Sequence, residues 1–371
     1  MSLLSSTVYW WKRLQAKRQR MKLLAGNISE SETALPGAIF NGYIGAHAIY
    51  ALHELGALAI LAAERELSLT ELSNRCECDA LLMAAVLEVM ARLRLVRLRD
   101  GQVSLTKVGV ATIQMQGFFT WAVGGYGNLL GQIAGVAMGE RAFSRDVFRD
   151  EAKVAIGSGE ADVALMRPIL FQVTDRLKFS SMVDLGCGDA SRLIALCQRH
   201  PYLRGVGVDV SPIACDLARR RVAEAGLGDR LGIVCADAMG LWEHMSEALA
   251  DVQLVTCFML LHDLIAVAQS NGADLFKTLR AAFPRAEYFL IGDTVRSSKQ
   301  DGATERPPPI FSLGFELVHA YMGIPLYVKE SYEELFRRSN FDIAECLAFG
   351  VPNTWLYVLK PGTAAHSVDP P

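Results

Sequence analysis

A glycine-containing loop is the segment of this chain with the clearest chemical meaning. The run from Val183 to Asp189, VDLGCGD, ends a predicted strand and opens a predicted helix. Glycine tolerates backbone conformations that other residues avoid, and it lets the backbone approach a ligand closely. We therefore predict that Gly186 and Gly188 bind a cofactor, with Asp184 attracting a positively charged group of that ligand.

Acidic residues near the ends of the next predicted strands extend this site. Asp209 closes the second strand, GVGVDVS, where a carboxylate can accept hydrogen bonds from both hydroxyls of a ribose. Asp237 and Ala238 follow the third strand, where a polar side chain can contact the amino group of an adenine. Cys257, in the fourth strand, completes the predicted cofactor-binding set.

A dinucleotide-binding enzyme is the alternative for this pattern. Its fingerprint is Gly-x-Gly-x-x-Gly, with a helix N-terminus open to a pyrophosphate. Here Ser191 replaces the third glycine, and Asp184 and Asp189 would repel an anion but attract the ammonium of a methionine moiety. The arrangement resembles the first motif, Asp-x-Gly-x-Gly, of the class I S-adenosylmethionine (SAM)-dependent methyltransferases, which implies SAM as the cofactor.

Two histidines follow later predicted strands. His262 lies just beyond the fourth strand in CFMLLHDL, with Asp263 beside it, and His319 lies in the apolar helical pattern PIFSLGFELVHAYMG. In an open α/β sheet the carboxyl ends of the strands face the ligand crevice, so His262 should face the transferable methyl group. His319, taken by itself, is more typical of a buried core residue.

Four segments resemble phenylpyruvate β-carbon methyltransferase and its α-keto acid methyltransferase relatives from non-ribosomal peptide pathways. They are CFMLLHD, LRAAFP, GDTVR and FSLGFELVHAYMG, and the likeness runs from about residue 40 to residue 360. The resemblance implies a mononuclear metal held by His262 and His319, with iron favoured over zinc or cobalt. It also implies that Trp121, in FFTWAVGG, packs against the substrate and that Arg149, in VFRDEA, binds the substrate carboxylate.

The implied reaction is methylation of the β-carbon of an α-keto acid through a metal-chelated enolate, in natural-product biosynthesis. A carboxylate with a neighbouring carbonyl oxygen is a bidentate chelator for a metal that has only two protein ligands. Lewis acidity then stabilises the enolate as it forms. The side chain of the keto acid stays open, because different tails need only different linings of one pocket.

One departure from that pattern keeps other functions open. Where the relatives carry a threonine-containing segment, this chain has Phe40-Asn41-Gly42-Tyr43. Relatives that methylate indoles use a tyrosine with a histidine to remove the ring N–H proton, so Tyr43 and His262 support metal-free C-methylation of an indole or another aromatic. A third possibility is a non-catalytic SAM-binding regulator that works through the N-terminal domain.

Seven short β-branched segments separated by helices position the cofactor residues. The predicted strands are 182–185, 205–210, 231–235, 252–258, 288–291, 343–348 and 354–359. Strands that alternate with helices predict an α/β fold with a largely parallel sheet covered on both faces, the Rossmann-like domain of class I SAM methyltransferases.

In front of this domain the pattern is helical. It ends in two short alternating runs around Asp100-Gly101, a hairpin signal, so we predict a winged-helix-like domain. Its candidate recognition helix has no basic stripe, which favours dimerisation or a lid role over DNA binding. The predicted domains are a basic N-terminal extension (1–35), the winged-helix-like dimerisation domain (36–115), connecting helices over the active site (116–178), the methyltransferase domain (179–361) and a disordered tail (362–371).

Composition argues against several partners. The net charge of −3 provides no basic field for a nucleic acid or an anionic membrane, and no apolar run reaches the roughly 18 residues of a membrane span. The eight cysteines lie mostly in apolar stretches, and no secretory segment stands at the N-terminus. We therefore predict a reduced, cytoplasmic homodimer that acts on a small molecule.

Overall fold

A computed structural model of the chain describes residues 30–240, 249–270, 274–296, 310–351 and 353–362. The chain divides into two compact units, Met1–Ser104 and Leu105–Pro371. The basic extension up to residue 29 and the tail from residue 363 lie outside the described residues. Their predicted character, like the domain boundaries that we predicted, stays a prediction.

The described part of the first unit contains four helices and a small sheet. The helices are α1 (Glu30–Glu54), α2 (Ala57–Ala63), α3 (Leu69–Arg75) and α4 (Ala80–Arg92). The strands β1 (Leu67–Ser68), β2 (Val96–Arg99) and β3 (Gln102–Leu105) form a sheet in the order β1-β3-β2. The Ser68 hydroxyl caps α3 by accepting from Glu71 N–H at 3.2 Å.

Two local features of this unit can be compared with the sequence predictions. The hairpin between β2 and β3 turns at Asp100 and Gly101, which both have positive φ, 51° and 75°, as such a two-residue turn requires. By contrast, α1 begins at Glu30, inside the predicted N-terminal extension (1–35), and continues through Pro36.

No single helix in the described ranges is both long and apolar enough to cross a membrane. The part of α1 from Leu35 onward and α2 are together long and apolar enough for a membrane span, judged by length and composition alone. The angle between these two helices is 75°.

The second unit begins with a series of short helices. These are α5 (Lys107–Gln114), α6 (Gln116–Phe119), α7 (Gly127–Gly131), α8 (Ile133–Ala137), α9 (Glu151–Ala161) and α10 (Arg167–Thr174), with π-helical turns at Thr120–Gly125 and Asp162–Met166. Glycines let α9 pack directly on the first π-helical turn: a Cβ on Gly157 would lie 2.6 Å from the backbone nitrogen of Trp121.

A seven-stranded sheet forms the core of the second unit. Its strands are β4 (Ser181–Leu185), β5 (Arg204–Asp209), β6 (Leu231–Cys235), β7 (Leu254–Phe258), β8 (Tyr288–Thr294), β9 (Phe341–Ala348) and β10 (Thr354–Pro361). The order is β6-β5-β4-β7-β8-β10-β9, and β10 runs antiparallel to both of its neighbours. All seven predicted strands are present, and the predicted α/β, Rossmann-like fold class is confirmed.

Helices connect these strands and cover the sheet. They are α11 (Ser191–Arg199), α12 (Pro212–Glu224), α13 (Leu261–Ser270), α14 (Leu275–Ala282), α15 (Ser312–Met322) and α16 (Lys329–Arg338). All five residues of β7 are buried, as expected of a central parallel strand. The strands β4, β5, β6, β7 and β8 pair in parallel. Their carboxyl ends therefore meet at one edge of the sheet, where ligands bind in folds of this kind.

Candidate active site

The loop after β4 has the backbone geometry that its glycines predict. Gly186 and Gly188 have φ values of +70° and +54°, a region that glycine occupies without strain. Gly186 N–H donates to Val208 O at 2.8 Å, and Gly188 N–H donates to Asp209 Oδ2 at 2.9 Å. A Cβ on Gly186 would lie 2.8 Å from Leu260 Cδ2. The loop is therefore fixed against β5, and a side chain at Gly186 would have to displace that of Leu260.

A cleft of about 410 Å³ opens beside this loop. Gly186, Gly188, Asp209, Asp237 and Ala238 all line it, so the structure brings together five of the seven predicted cofactor residues. Asp209 closes β5, and Asp237 and Ala238 follow β6. The two acids at these neighbouring strand ends therefore lie on the same side of the cleft. This arrangement suits a nucleoside, whose ribose hydroxyls and adenine amine are hydrogen-bond donors.

The structure does not bring the other two predicted cofactor residues into the cleft lining. Asp184 and Cys257 have 0% and 1% of their surfaces exposed and are absent from the cleft lining. Asp184 instead accepts from Thr256 Oγ1 at 2.6 Å, and burial raises its pKa to about 6. Cys257 points into the core, and burial raises the pKa of its thiol. Inward and outward positions alternate along a strand, and the sequence did not show which positions face the cleft.

A second, smaller cavity, of about 80 Å³, adjoins the cleft. Aromatic side chains dominate its lining: Phe118, Trp121, Tyr126, Phe311 and Phe315. His262, His319 and Arg149 line the same cavity, and Arg149, Asp263 and Met259 line both spaces. A ligand in the cavity and a cofactor in the cleft would therefore meet at these shared residues.

His262 is held by an aspartate that our sequence reasoning missed. Its Nδ1 lies 2.9 and 3.0 Å from the two oxygens of Asp293, and its backbone N–H donates to Asp293 Oδ2 at 3.0 Å. Burial by itself lowers the pKa of His262, but the Asp293 and Asp263 carboxylates outweigh it, so the pKa is raised. Because Asp293 accepts a proton from Nδ1, the lone pair of the neutral ring lies on Nε2, 3.7 Å from Asp263 Oδ2.

His319 lies close to His262, and its Nδ1 is likewise hydrogen-bonded within the protein. The centroids of the two rings are 4.6 Å apart. His319 Nδ1 donates to Phe315 O at 2.7 Å, which again leaves the lone pair on Nε2. Burial and the neighbouring His262 lower the pKa of His319 to about 3. Both rings therefore present an unprotonated nitrogen in the neutral state, and His319 is neutral at ordinary pH.

Arg149 and Trp121 lie in the aromatic cavity, as the resemblance implies. Arg149 Nη1 donates to Tyr126 OH at 3.2 Å, and the ring of Tyr126 packs against that of Trp121 with centroids 4.5 Å apart. Sequence reasoning also missed Tyr126, which lies in a segment without a chemical motif. Asp293 did carry a signal, since it is an acid near the end of a parallel strand, as Asp209 is.

Tyr43 belongs to the first unit. Its ring packs edge-on against His47, with centroids 4.7 Å apart, and 64% of its surface is exposed. Its pairing with His262 stays a prediction.

Comparisons with known proteins agree with this geometry. A family model described as a methyltransferase domain matches residues 182–281. The chain is 28% identical over 331 residues to the indolepyruvate C-methyltransferase of Streptomyces griseus, covering 87% of this chain and 94% of the relative. It is 28% identical over 319 residues to methyltransferase ungE' of Aspergillus campestris. This match covers 84% of this chain and 92% of the relative. The fold resembles human N-acetylserotonin methyltransferase in complex with SAM, with a TM-score of 0.64 at 15% identity, covering 91% and 99%.

The methyltransferase domain and the matches to methyltransferases over most of the chain support a SAM-dependent methyltransferase with a class I fold. Within that class it resembles the C-methyltransferases that act on α-keto acids, as the sequence motifs around His262 and His319 predict.

Proposed function

We propose that this enzyme methylates the β-carbon of an α-keto acid with an aromatic side chain, in natural-product biosynthesis. One observation carries the proposal: His262, His319 and Arg149 line a single aromatic cavity that adjoins the cofactor cleft. The indolepyruvate C-methyltransferase, which matches over most of both chains, is named for a substrate of this class.

The donor set of the cavity fits a metal ion that keeps open positions. Metal-binding histidines usually donate the N–H of one ring nitrogen to a carboxylate or a carbonyl and bind through the other. His262 and His319 have Asp293 and Phe315 O in those roles. In the described ranges no group of three or more His, Cys, Asp and Glu side chains is placed to hold a metal by itself, so substrate oxygens would have to complete the coordination. When bound, the metal would supply Lewis acidity toward an enolate.

The residues of the chain account for binding and orientation. Arg149 can bind the substrate carboxylate with two parallel N–H donors, and the Tyr126 hydroxyl fixes its position. Trp121 and Phe315 provide apolar walls for an aromatic tail and exclude water from the reacting carbon. SAM supplies the methyl group, and the enzyme must hold donor and acceptor carbons roughly 3 Å apart in line.

Replacing Arg149 with lysine should raise the KM for a keto acid by roughly 10- to 100-fold, because the two-pronged, charge-assisted contact is lost. The binding of S-adenosylhomocysteine should change little. Steady-state kinetics with a panel of arylpyruvates, together with calorimetry, measure both effects. Arg145→Lys is the matched control, since Arg145 is largely exposed and pairs with the neighbouring Asp146. An unchanged KM in Arg149→Lys would contradict the assignment.

A second candidate is metal-free C-methylation of an indole or another aromatic, with His262 as the base. The observation that favours it is the Asp293 carboxylate on His262 Nδ1, an arrangement that also serves general bases. Tyr43 is the predicted partner in that mechanism. Metal content separates the two candidates, because a chelator stops the first reaction and leaves the second unchanged.

We further propose that the enzyme is a cytoplasmic homodimer that associates through its N-terminal domain. Support comes from the large apolar side chains along α1 that are 64–67% exposed: Leu35, Ile39, Phe40 and Tyr43. Exposed apolar patches of this kind are typical of interaction surfaces. All eight cysteines are free, which is consistent with a reducing compartment.

Light scattering at micromolar concentration should therefore give the mass of a dimer, and Ile39→Ser with Phe40→Ser should shift it toward the monomer. Tyr202→Ser is the matched control, since Tyr202 is a 90% exposed aromatic in the second unit. A monomeric wild-type enzyme would refute the proposal.

A further inference from the structure

An arginine is fixed in the wall of the cofactor cleft. Arg192, near the start of α11, lines the cleft with a side chain that is only 12% exposed. Its guanidinium carbon lies 4.0 Å from the centroid of the Phe258 ring. Its Nε donates to Asp162 Oδ1 at 3.0 Å, and its Nη1 lies 3.7 Å from Asp184 Oδ1. Two buried carboxylates and an aromatic ring thus hold this cation in place.

The residues around the Arg192 guanidinium show at which end of the cleft it lies. Asp162 opens the π-helical turn that ends at Met166, and Met166 lines both the cleft and the aromatic cavity. Phe258 closes β7 and is followed by Met259, which also lines both. Arg192 therefore lies at the end of the cleft nearest the substrate cavity.

The strand order assigns the two ends of the cleft to different parts of SAM. Asp209 and Asp237 lie over β5 and β6, on one side of β4, whereas Phe258 and Arg192 lie over β7 on the other side. If the ribose and adenine occupy the first side, the methionine end must lie on the second. That end carries a carboxylate, which requires a donor.

Three of the loop amides already have acceptors within the protein. Gly186 and Cys187 N–H both donate to Val208 O, and Gly188 N–H donates to Asp209. Among the described residues that line the cleft, the cations are Arg149 and Arg192, and Arg149 also lines the substrate cavity. A guanidinium has five N–H donors. On Arg192 only Nε has a hydrogen-bond acceptor within the described part of the chain, since 3.7 Å is beyond hydrogen-bond distance.

We propose that Arg192 binds the carboxylate of the methionine end of SAM, with Asp162 and Asp184 as the positioning residues that hold its guanidinium. Asp184, the acid of the Asp-x-Gly-x-Gly pattern, then acts on the cofactor through Arg192 rather than by direct contact. The assignment concerns the cofactor alone and does not depend on which atom of the substrate accepts the methyl group.

Decarboxylated SAM, which lacks only this carboxylate, isolates the contact. Calorimetry on the wild-type enzyme should show that SAM binds about 10- to 100-fold more tightly than decarboxylated SAM, the effect expected of a charge-assisted pair. Arg192→Gln should remove most of this preference by weakening SAM and leaving decarboxylated SAM little changed. Arg199→Gln is the matched control: Arg199 lies on the same helix, pairs with the carboxylate of Asp175, is absent from the cleft lining, and should leave the preference intact.

Three results would overturn the proposal: a wild-type enzyme that binds both ligands equally, an Arg192→Gln enzyme that keeps the preference, or an Arg192→Gln enzyme that loses both ligands to the same extent. The last result would show that Arg192 only supports the cleft. Circular dichroism establishes whether Arg192→Gln is folded. If it is not, Arg192→Lys keeps a charge beside Asp162 and should still bind SAM more weakly, with decarboxylated SAM unchanged. A wild-type preference in Arg192→Lys would equally overturn the assignment.

Discussion

We expect His262→Ala and His319→Ala each to lose the bound metal and to lower keto-acid turnover by more than about 100-fold, while SAM binding persists. Even an outer partner of a metal ligand contributes roughly 10- to 100-fold, and each substitution would remove one of the two proposed protein ligands. SAM binding persists because the residues of the cleft, such as Asp209 and Asp237, are separate from the two rings. Elemental analysis, steady-state kinetics and calorimetry on each variant measure the three quantities.

The losses should also be non-additive, because the double variant has no metal site left to damage. His200→Ala is the control, since His200 lies outside both cavities. The alternative mechanism predicts a different pattern. If His262 is a base paired with Tyr43, then His319→Ala keeps much of its activity and Tyr43→Phe is as damaging as His262→Ala. A fully active, metal-free His319→Ala enzyme would rule out the metal.

Residues whose role depends on local backbone geometry were predictable from the sequence. Gly186 and Gly188 were identified because their neighbours mark a strand that passes into a helix, and the positive φ values follow from that turn. Asp209 was identified because it closes the next strand. The seven strands were found because β-branched runs bounded by helices allow few other arrangements.

Contacts that join distant segments were not predictable in the same way. Asp293 lies 31 residues from His262, and Tyr126 lies 23 residues from Arg149. The sequence alone does not show that these pairs meet, because their proximity depends on how the strands and helices pack. The same holds for Asp184. As an acidic residue it was predicted to contact an ammonium directly. The packing of α11 and the π-helical turn instead places Arg192 between Asp184 and the cleft.

Gly186→Val should abolish SAM binding, with a loss of affinity that exceeds about 100-fold. The substitution places a β-branched side chain at φ +70°, where a left-handed conformation costs roughly 1–2 kcal/mol. It also places a Cβ 2.8 Å from Leu260 Cδ2 at the cleft wall, so either Leu260 or the loop must move. Movement of the loop displaces Gly188, whose N–H orients the Asp209 carboxylate. Calorimetry with SAM and S-adenosylhomocysteine measures the loss.

A matched control separates this effect from backbone strain. Gly226 has a similar φ of +66°, has no atom within 4 Å of its would-be Cβ and is absent from the cleft lining. Gly226→Val therefore carries the same conformational cost without the collision, and we expect it to lower the melting temperature but to keep wild-type affinity for SAM. Gly186→Ala tests the site with a smaller side chain if the valine variant does not fold. A folded Gly186→Val enzyme with unchanged affinity would show that this loop does not lie against the cofactor.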